Sequence, residues 1–268
     1  MIFEQNRRYR MPVFFGPSTG PRADSAGNPY DWTTAPRDVA SVSFLTDAAA
    51  LEALLPPGFS LDGEPVVTFE HFALREVPWL AGRGYDALGM RFPARYDGKV
   101  DHVRGPLLTV LWENLTDAIL TGRDELGYSK LFADLPPPVI SGSNRTYTAA
   151  WQGHEFLRMS LEDLTDAEPP APAAIDGLLH YRYFPAVNRL GDHAVSTAAM
   201  TPAGGPTKTL RFRRGTGSVE VLHSTWQQMP TQCQVVNALA ALPVIEPRGS
   251  TFAEQVGSKD LSDVRTLA

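Results

Sequence analysis

Short runs of alternating apolar and polar residues follow one another along most of this chain, broken by turn signals roughly every ten residues, and helical spacing is rare. That rhythm fits an antiparallel sheet and does not fit alternating βαβ units. Strands are expected at 39–45, 65–74, 84–95, 105–112, 146–151, 155–161, 177–184, 193–200, 209–214 and 218–222. The run 105–112 is almost wholly apolar, which places it centrally, and Gln152-Gly153 reads as the turn between two of the others. Three segments have helical character. One runs from a cap at Thr46 or Asp47 to residue 54, where Pro56-Pro57-Gly58 stops it; the others are 116–124 and 231–242, the last with Val235, Leu239 and Leu242 on one face. Residues 16–31, rich in Gly, Pro, Ser and Asn, read as irregular. The expectation is therefore an irregular leader over 1–35 and a single α+β domain over 36–268, dominated by a curved or closed, mostly antiparallel sheet.

Composition removes several functions. A net charge of -6 and a pI near 5.5 leave no basic stripe for nucleic acid. The single cysteine, Cys233, cannot close an internal disulfide and sits in an apolar helical stretch as a core residue, consistent with a reducing, cytoplasmic setting. No signal peptide or membrane span is read from the apolar runs. The six histidines are scattered without metal-ligand spacing, so neither a metal nor another cofactor is expected. Ala203-Gly204-Gly205-Pro206 lacks the residues of a phosphate loop, no G-x-S-x-G elbow occurs, and Arg211, Arg213 and Arg214 read as a solvated face.

What remains is the stretch GRDELGYSKLF at 122–132. Its lysine, Lys130, has Tyr128 before it and Leu131 and Phe132 after it. The plain reading is an alkyl stem lying on the core with its ammonium in water. The sharper one is an amine in a dry pocket, where desolvation disfavours the charged form and leaves a nucleophile able to form a Schiff base with a ketone. A second buried-polar candidate is Glu70, which shares a strand face with Val66, Thr68 and Phe72; a solvated carboxylate is its plainer explanation.

Gly122-Arg123-Asp124 followed by Tyr128-Ser129-Lys130 resembles the acetoacetate decarboxylase superfamily, in which a Gly-Arg-Glu turn precedes Tyr-Pro-Lys and that lysine carries the imine. Arg37 before the first strand, Phe69-Glu70, Tyr85 ahead of Gly89, the Asp97-Gly98 turn and the segment from His180 to Pro185 extend the resemblance over about 36–245. It implies a cone or barrel of antiparallel strands with the lysine in a largely apolar lumen, and homo-oligomeric assembly.

The departures matter as much. A second lysine that follows the reactive one in the decarboxylases is Leu131 here, the proline before it is Ser129, and the second active-site glutamate after the tyrosine is replaced by Asp86 and Ala87. The resemblance then implies a Schiff-base lyase acting on a small oxo acid. The leading expectation is aldol condensation of pyruvate with an aldehyde followed by dehydration; decarboxylation of acetoacetate or a related 3-oxo acid is the alternative, and a non-catalytic small-ligand binder the second alternative. In that scheme Lys130 is the nucleophile, Glu70 the proton shuttle, Arg37 the carboxylate ligand and Tyr128 a donor near the carbinolamine. Asp86, Arg123 and Tyr85 are further candidates. The lysine's reactivity is expected to come from burial without a carboxylate partner.

Overall fold

The computed structural model describes residues 3–268 apart from Asn6 and Ser25. Fourteen strands are present among them: β1 (Pro36–Leu45), β2 (Phe59–Leu61), β3 (Val66–Leu74), β4 (Tyr85–Asp97), β5 (His102–Glu113), β6 (Lys130–Phe132), β7 (Val139–Ser141), β8 (Asn144–Trp151), β9 (His154–Asp166), β10 (Gly177–Pro185), β11 (His193–Pro202), β12 (Lys208–Val221), β13 (Glu246–Val256) and β14 (Arg265–Thr266). Three short α-helices accompany them: α1 (Ala48–Glu52), α2 (Thr116–Thr121) and α3 (Cys233–Ala240). The strands form one sheet in the order β14-β11-β10-β5-β4-β3-β1-β13-β12-β9-β8-β7, with β2 attached to β4 and β6 to β5. Every pairing is antiparallel except β10 with β5 and β5 with β6. The expected mostly antiparallel α+β fold is thus present, as one mixed sheet whose path ends at β14 and β7.

Beyond the short strands β2, β6, β7 and β14, which the sequence expectation lacks, two segments differ from it for local reasons. The segments expected at 209–214 and 218–222 fall in one strand, β12, which ends at Val221, because Gly215 and Gly217 do not turn the chain. Gly215 instead lets β12 approach the carbonyl of Glu162 more closely than a Cβ would allow. β13 has no counterpart among the expected strands, since Pro247 and Gly249 near its start read as loop residues; yet it lies between β1 and β12. Gly249 adopts φ 84° there, next to a register shift opposite Val42 and Phe44 of β1.

The two faces of the sheet bury different things. One carries the main core: Val67 and Phe69 of β3, Leu88, Met90 and Phe92 of β4, and Val110 and Trp112 of β5, packed with Val236 and Leu239 of α3. Burying side chains of this size contributes roughly 1.5–3 kcal/mol each. The other face carries a smaller cluster, Ala87, Leu108, Leu111, Leu126 and Tyr128, against which Phe72 and Leu178 pack. Partners across a ladder share a face. Arg37 opposes Leu74, which opposes Tyr85; Glu70 opposes Gly89, which opposes Leu111, which opposes Lys130; and Ala87 opposes Glu113. Arg37, Glu70, Tyr85, Glu113 and Lys130 therefore all belong to the face of the smaller cluster.

Candidate active site around Lys130

The approach to the lysine is a widened helix end. α2 runs directly into a single π turn, Gly122–Leu126, which ends on Gly127 in the left-handed region with φ 79°. Gly127 takes that conformation without strain, and a Cβ there would also collide with the Arg182 side chain at 2.6 Å. Arg123, exposed on this turn, donates from Nη1 to the backbone carbonyl of Lys130 at 2.7 Å, which ties the turn to β6. It thus holds the lysine's backbone and does not reach its amine. Gly122 is required for another reason: a Cβ on it would lie 2.5 Å from Lys130 Nζ. The first glycine of the GRD sequence makes room for the lysine side chain.

That side chain is only 7% exposed. Nζ donates to the Ala118 carbonyl of α2 at 3.0 Å and lies 2.8 Å from Oε1 of Glu113, the last residue of β5. Glu113 is 2% exposed, and its Oε2 has no hydrogen-bond partner among the described residues. Burial raises the Glu113 pKa above the ordinary carboxylate value, and the adjacent Lys130 partly offsets that rise. The expectation of a lysine without a carboxylate partner is therefore corrected. The sequence signal for Glu113 was a lone glutamate closing an otherwise apolar strand, two residues beyond Leu111 and so on the same face.

The Lys130 side chain opens on a cavity of about 90 Å³, lined also by Arg22, Trp32, Tyr85, Thr121, Lys259 and Asp260. This is small beside the roughly 300–1,000 Å³ of drug-sized ligand sites, so it suits a molecule of a few heavy atoms. Tyr85 is pushed well above the ordinary phenol pKa by burial and, secondarily, by Glu113. Tyr128 places its ring 5.7 Å from Nζ and edge-on to His180, while its hydroxyl pairs with Thr201 Oγ1 at 2.6 Å. Burial pushes Tyr128 up to about 12, so it stays a neutral phenol.

The remaining candidates lie elsewhere. Glu70 forms a bidentate pair with Arg91, 2.9 and 3.1 Å, in place of a contact with the lysine. Three strand spacings separate it from Lys130 along their shared row, about 14 Å of sheet, against one spacing for Glu113. The carboxylate beside the amine is thus Glu113, where Glu70 was expected. Arg37 donates from Nε to Gln255 Oε1 at 2.8 Å and from Nη2 to Thr207 at 3.4 Å, outside the cavity lining. Burial lowers the Arg37 pKa, and Glu70 opposes that shift. Asp86 alternates with Tyr85 and Ala87 and so points to the opposite face, where it meets Arg75 at 2.9 Å and His71 at 3.7 Å. It cannot stand in for the missing glutamate.

A family model described as acetoacetate decarboxylase (ADC) matches residues 10–248. This chain belongs to that family. A curated acetoacetate decarboxylase from Clostridium botulinum (strain Eklund 17B / Type B) is 32% identical over 104 residues, a match covering 37% of this chain and about two fifths (40%) of that relative's length. Among solved structures, an acetoacetate decarboxylase superposes with a TM-score of 0.67 at 16% identity, covering 91% of this chain and 94% of the other. The enduracididine biosynthesis enzyme MppR in complex with pyruvate superposes with a TM-score of 0.62 at 14% identity, covering 93% and 98%. Its complex with the condensation product of pyruvate and imidazole 4-carboxaldehyde gives 0.62 at 16%, covering 94% and 98%. At such identities these structures establish a shared ADC-like fold.

Proposed function

We propose that this ADC-family protein is a Schiff-base lyase in which Lys130 condenses with a small 2-oxo acid of pyruvate size, and that the resulting enamine adds to an aldehyde with loss of water. The observation that carries the reading is the buried Lys130–Glu113 pair at 2.8 Å, in which Lys130 lines a small cavity and Glu113 stands behind it with its second oxygen unpartnered among the described residues. Glu113 takes the ammonium proton, and the freed lone pair attacks the ketone carbon. The carbinolamine hydroxyl leaves as water with the proton that Glu113 returns. The carboxylate then removes a proton from the carbon beside the imine, giving an enamine. That carbon bonds to the aldehyde carbonyl carbon and Glu113 protonates the alkoxide; the carboxylate then takes a second proton from the same carbon and returns it to the hydroxyl as that leaves as water, and addition of one water to the imine frees Lys130. A carboxyl whose proton affinity is raised by burial suits this two-way traffic.

Two features favour retention of the substrate carboxylate over its loss. Arg22 lines the same cavity with Nε and Nη2 unpartnered among the described residues, and a cation stabilises a carboxylate in the ground state more than in a transition state where its charge is dispersing. MppR, which shares the fold, binds pyruvate and a pyruvate condensation product. The rival, decarboxylation of a 3-oxo acid through the same imine, draws support from the curated acetoacetate decarboxylase at 32% identity.

Borohydride treatment in the presence of pyruvate or acetoacetate tests the shared step: a mass increase equal to the reduced adduct is expected on Lys130. Lack of an adduct with every oxo acid tried would leave only a non-catalytic binder. Rapid release of carbon dioxide from acetoacetate would favour the decarboxylase reading over the aldol one.

A further inference from the structure

The irregular leader reaches the lysine cavity. Pro21, Arg22 and Trp32 all line it, and Arg22 is the charged one among them. Its side chain is 8% exposed although its segment holds, among the described residues, only a single 3₁₀ turn at Val13–Phe15 and isolated β-bridges. Nη1 is held by Glu125 Oε2 at 2.6 Å, an anchor on the same π turn that leads into Lys130. Nε and Nη2, by contrast, are buried and have no hydrogen-bond partner among the described residues. These two donors form one edge of the guanidinium fork, the edge that fits a carboxylate with two parallel hydrogen bonds.

Leaving two charged donors dry and unpaired is costly, whereas the same arrangement is favourable once an anion completes it. Arg37, the arginine expected from sequence to hold the carboxylate, already donates to Gln255 and Thr207 and does not line this cavity. Lys259 lines the cavity too, but its Nζ is engaged by Asp263 at 2.7 Å and by the Pro202 carbonyl.

We infer that Arg22 is the substrate-carboxylate clamp of the Lys130 site, with its Nε and Nη2 edge gripping a small monocarboxylate oxo acid while Glu125 fixes the opposite end of the guanidinium. The inference deepens the proposed function and rests on it. It makes the leader a working wall of the site and selects for a substrate that keeps its carboxylate.

Calorimetric titration of the full-length chain with pyruvate and with acetoacetate, alongside borohydride trapping with acetone, separates the two proposals. Arg22→Gln should weaken binding of the acids roughly 10- to 100-fold, the size of a lost charged hydrogen-bond pair, yet leave trapping of carboxylate-free acetone on Lys130 within about twofold of wild type as judged by the same scale. Glu125→Gln loosens the anchor that fixes the guanidinium and should also weaken acid binding, by less than Arg22→Gln, with acetone trapping again retained. Loss of acetone trapping in step with acid binding in Arg22→Gln would reduce Arg22 to a tether for the leader and overturn the clamp, as would unchanged acid affinity in that variant. Acid binding that depends on Arg22 without any trapping would sustain the clamp and sink the Schiff base. No acid binding to wild type would overturn both.

Discussion

Glu113 lies directly across the β4–β5 ladder from Ala87 and extends its carboxylate to within 2.8 Å of Lys130 Nζ. By resemblance to the decarboxylases, a glutamate is absent from the stretch that Asp86 and Ala87 occupy. A residue and its cross-strand partner share one face with Cβ atoms about 5 Å apart. A carboxylate can therefore move between the two strands and still project into the same region. The small Ala87 side chain leaves the space that the glutamate opposite it uses.

If Glu113 is the proton carrier, Glu113→Gln should lower turnover by roughly 10²- to 10⁴-fold, the usual contribution of a positioned acid–base group. It should also stop exchange of the pyruvate methyl protons for deuterium, followed by NMR. Melting should remain cooperative, because glutamine is nearly isosteric. Undiminished exchange in this variant would transfer the role to another group.

Much of the frame can be read from alternation alone, because a half-buried strand leaves a period of two in its residues. β1 and β3 are visible in that way, whereas β5 shows itself as an apolar run and the lysine turn by its motif. β13 is not visible: Pro247 and Gly249 have the chemistry of a loop, and only pairing on both sides makes the segment a strand. The site was partly legible for a similar reason. Lys130 announces itself by its apolar neighbours, whereas the choice among Glu70, Asp86 and Glu113 depends on register, which local sequence does not encode. Arg22 was hidden entirely, since its burial arises from where an irregular leader packs.

Gly122→Ala provides a test of how tightly the amine is positioned. The new methyl would lie 2.5 Å from Lys130 Nζ, so the lysine must shift away from Ala118 and Glu113. Overpacking of this kind costs about 1–3 kcal/mol. A lowered melting temperature together with slowed borohydride trapping is expected; a variant that is destabilised but traps at the wild-type rate would show that the amine has room to spare.

Acid stability should be governed by two buried histidines. Burial lowers both His71 and His180 to about 4, from an ordinary value near 6.5. Between these values the unfolded chain binds more protons than the folded one, so stability rises with pH through the window. It should be complete above about pH 6.5 and fall on acidification toward pH 4, by up to about 3 kcal/mol for each histidine. Denaturant titrations across that range check the slope, and His71→Gln should flatten it. An unchanged slope would mean that His71 is not the group being protonated.

Asp86 offers the sharpest contrast with Glu113, because one residue's step along β4 separates the two faces. Its carboxylate serves Arg75 and His71 and receives the Asn114 side chain at 3.5 Å, all on the side away from the lysine. Asp86→Asn should therefore lower stability by about 1 kcal/mol, the scale of a half-exposed ion pair, and leave the rate of adduct formation at Lys130 unaltered. Loss of trapping with normal stability would place Asp86 in the catalytic group after all. Measured side by side with Glu113→Gln, which should reverse that pattern, the pair decides which of the two carboxylates serves the amine.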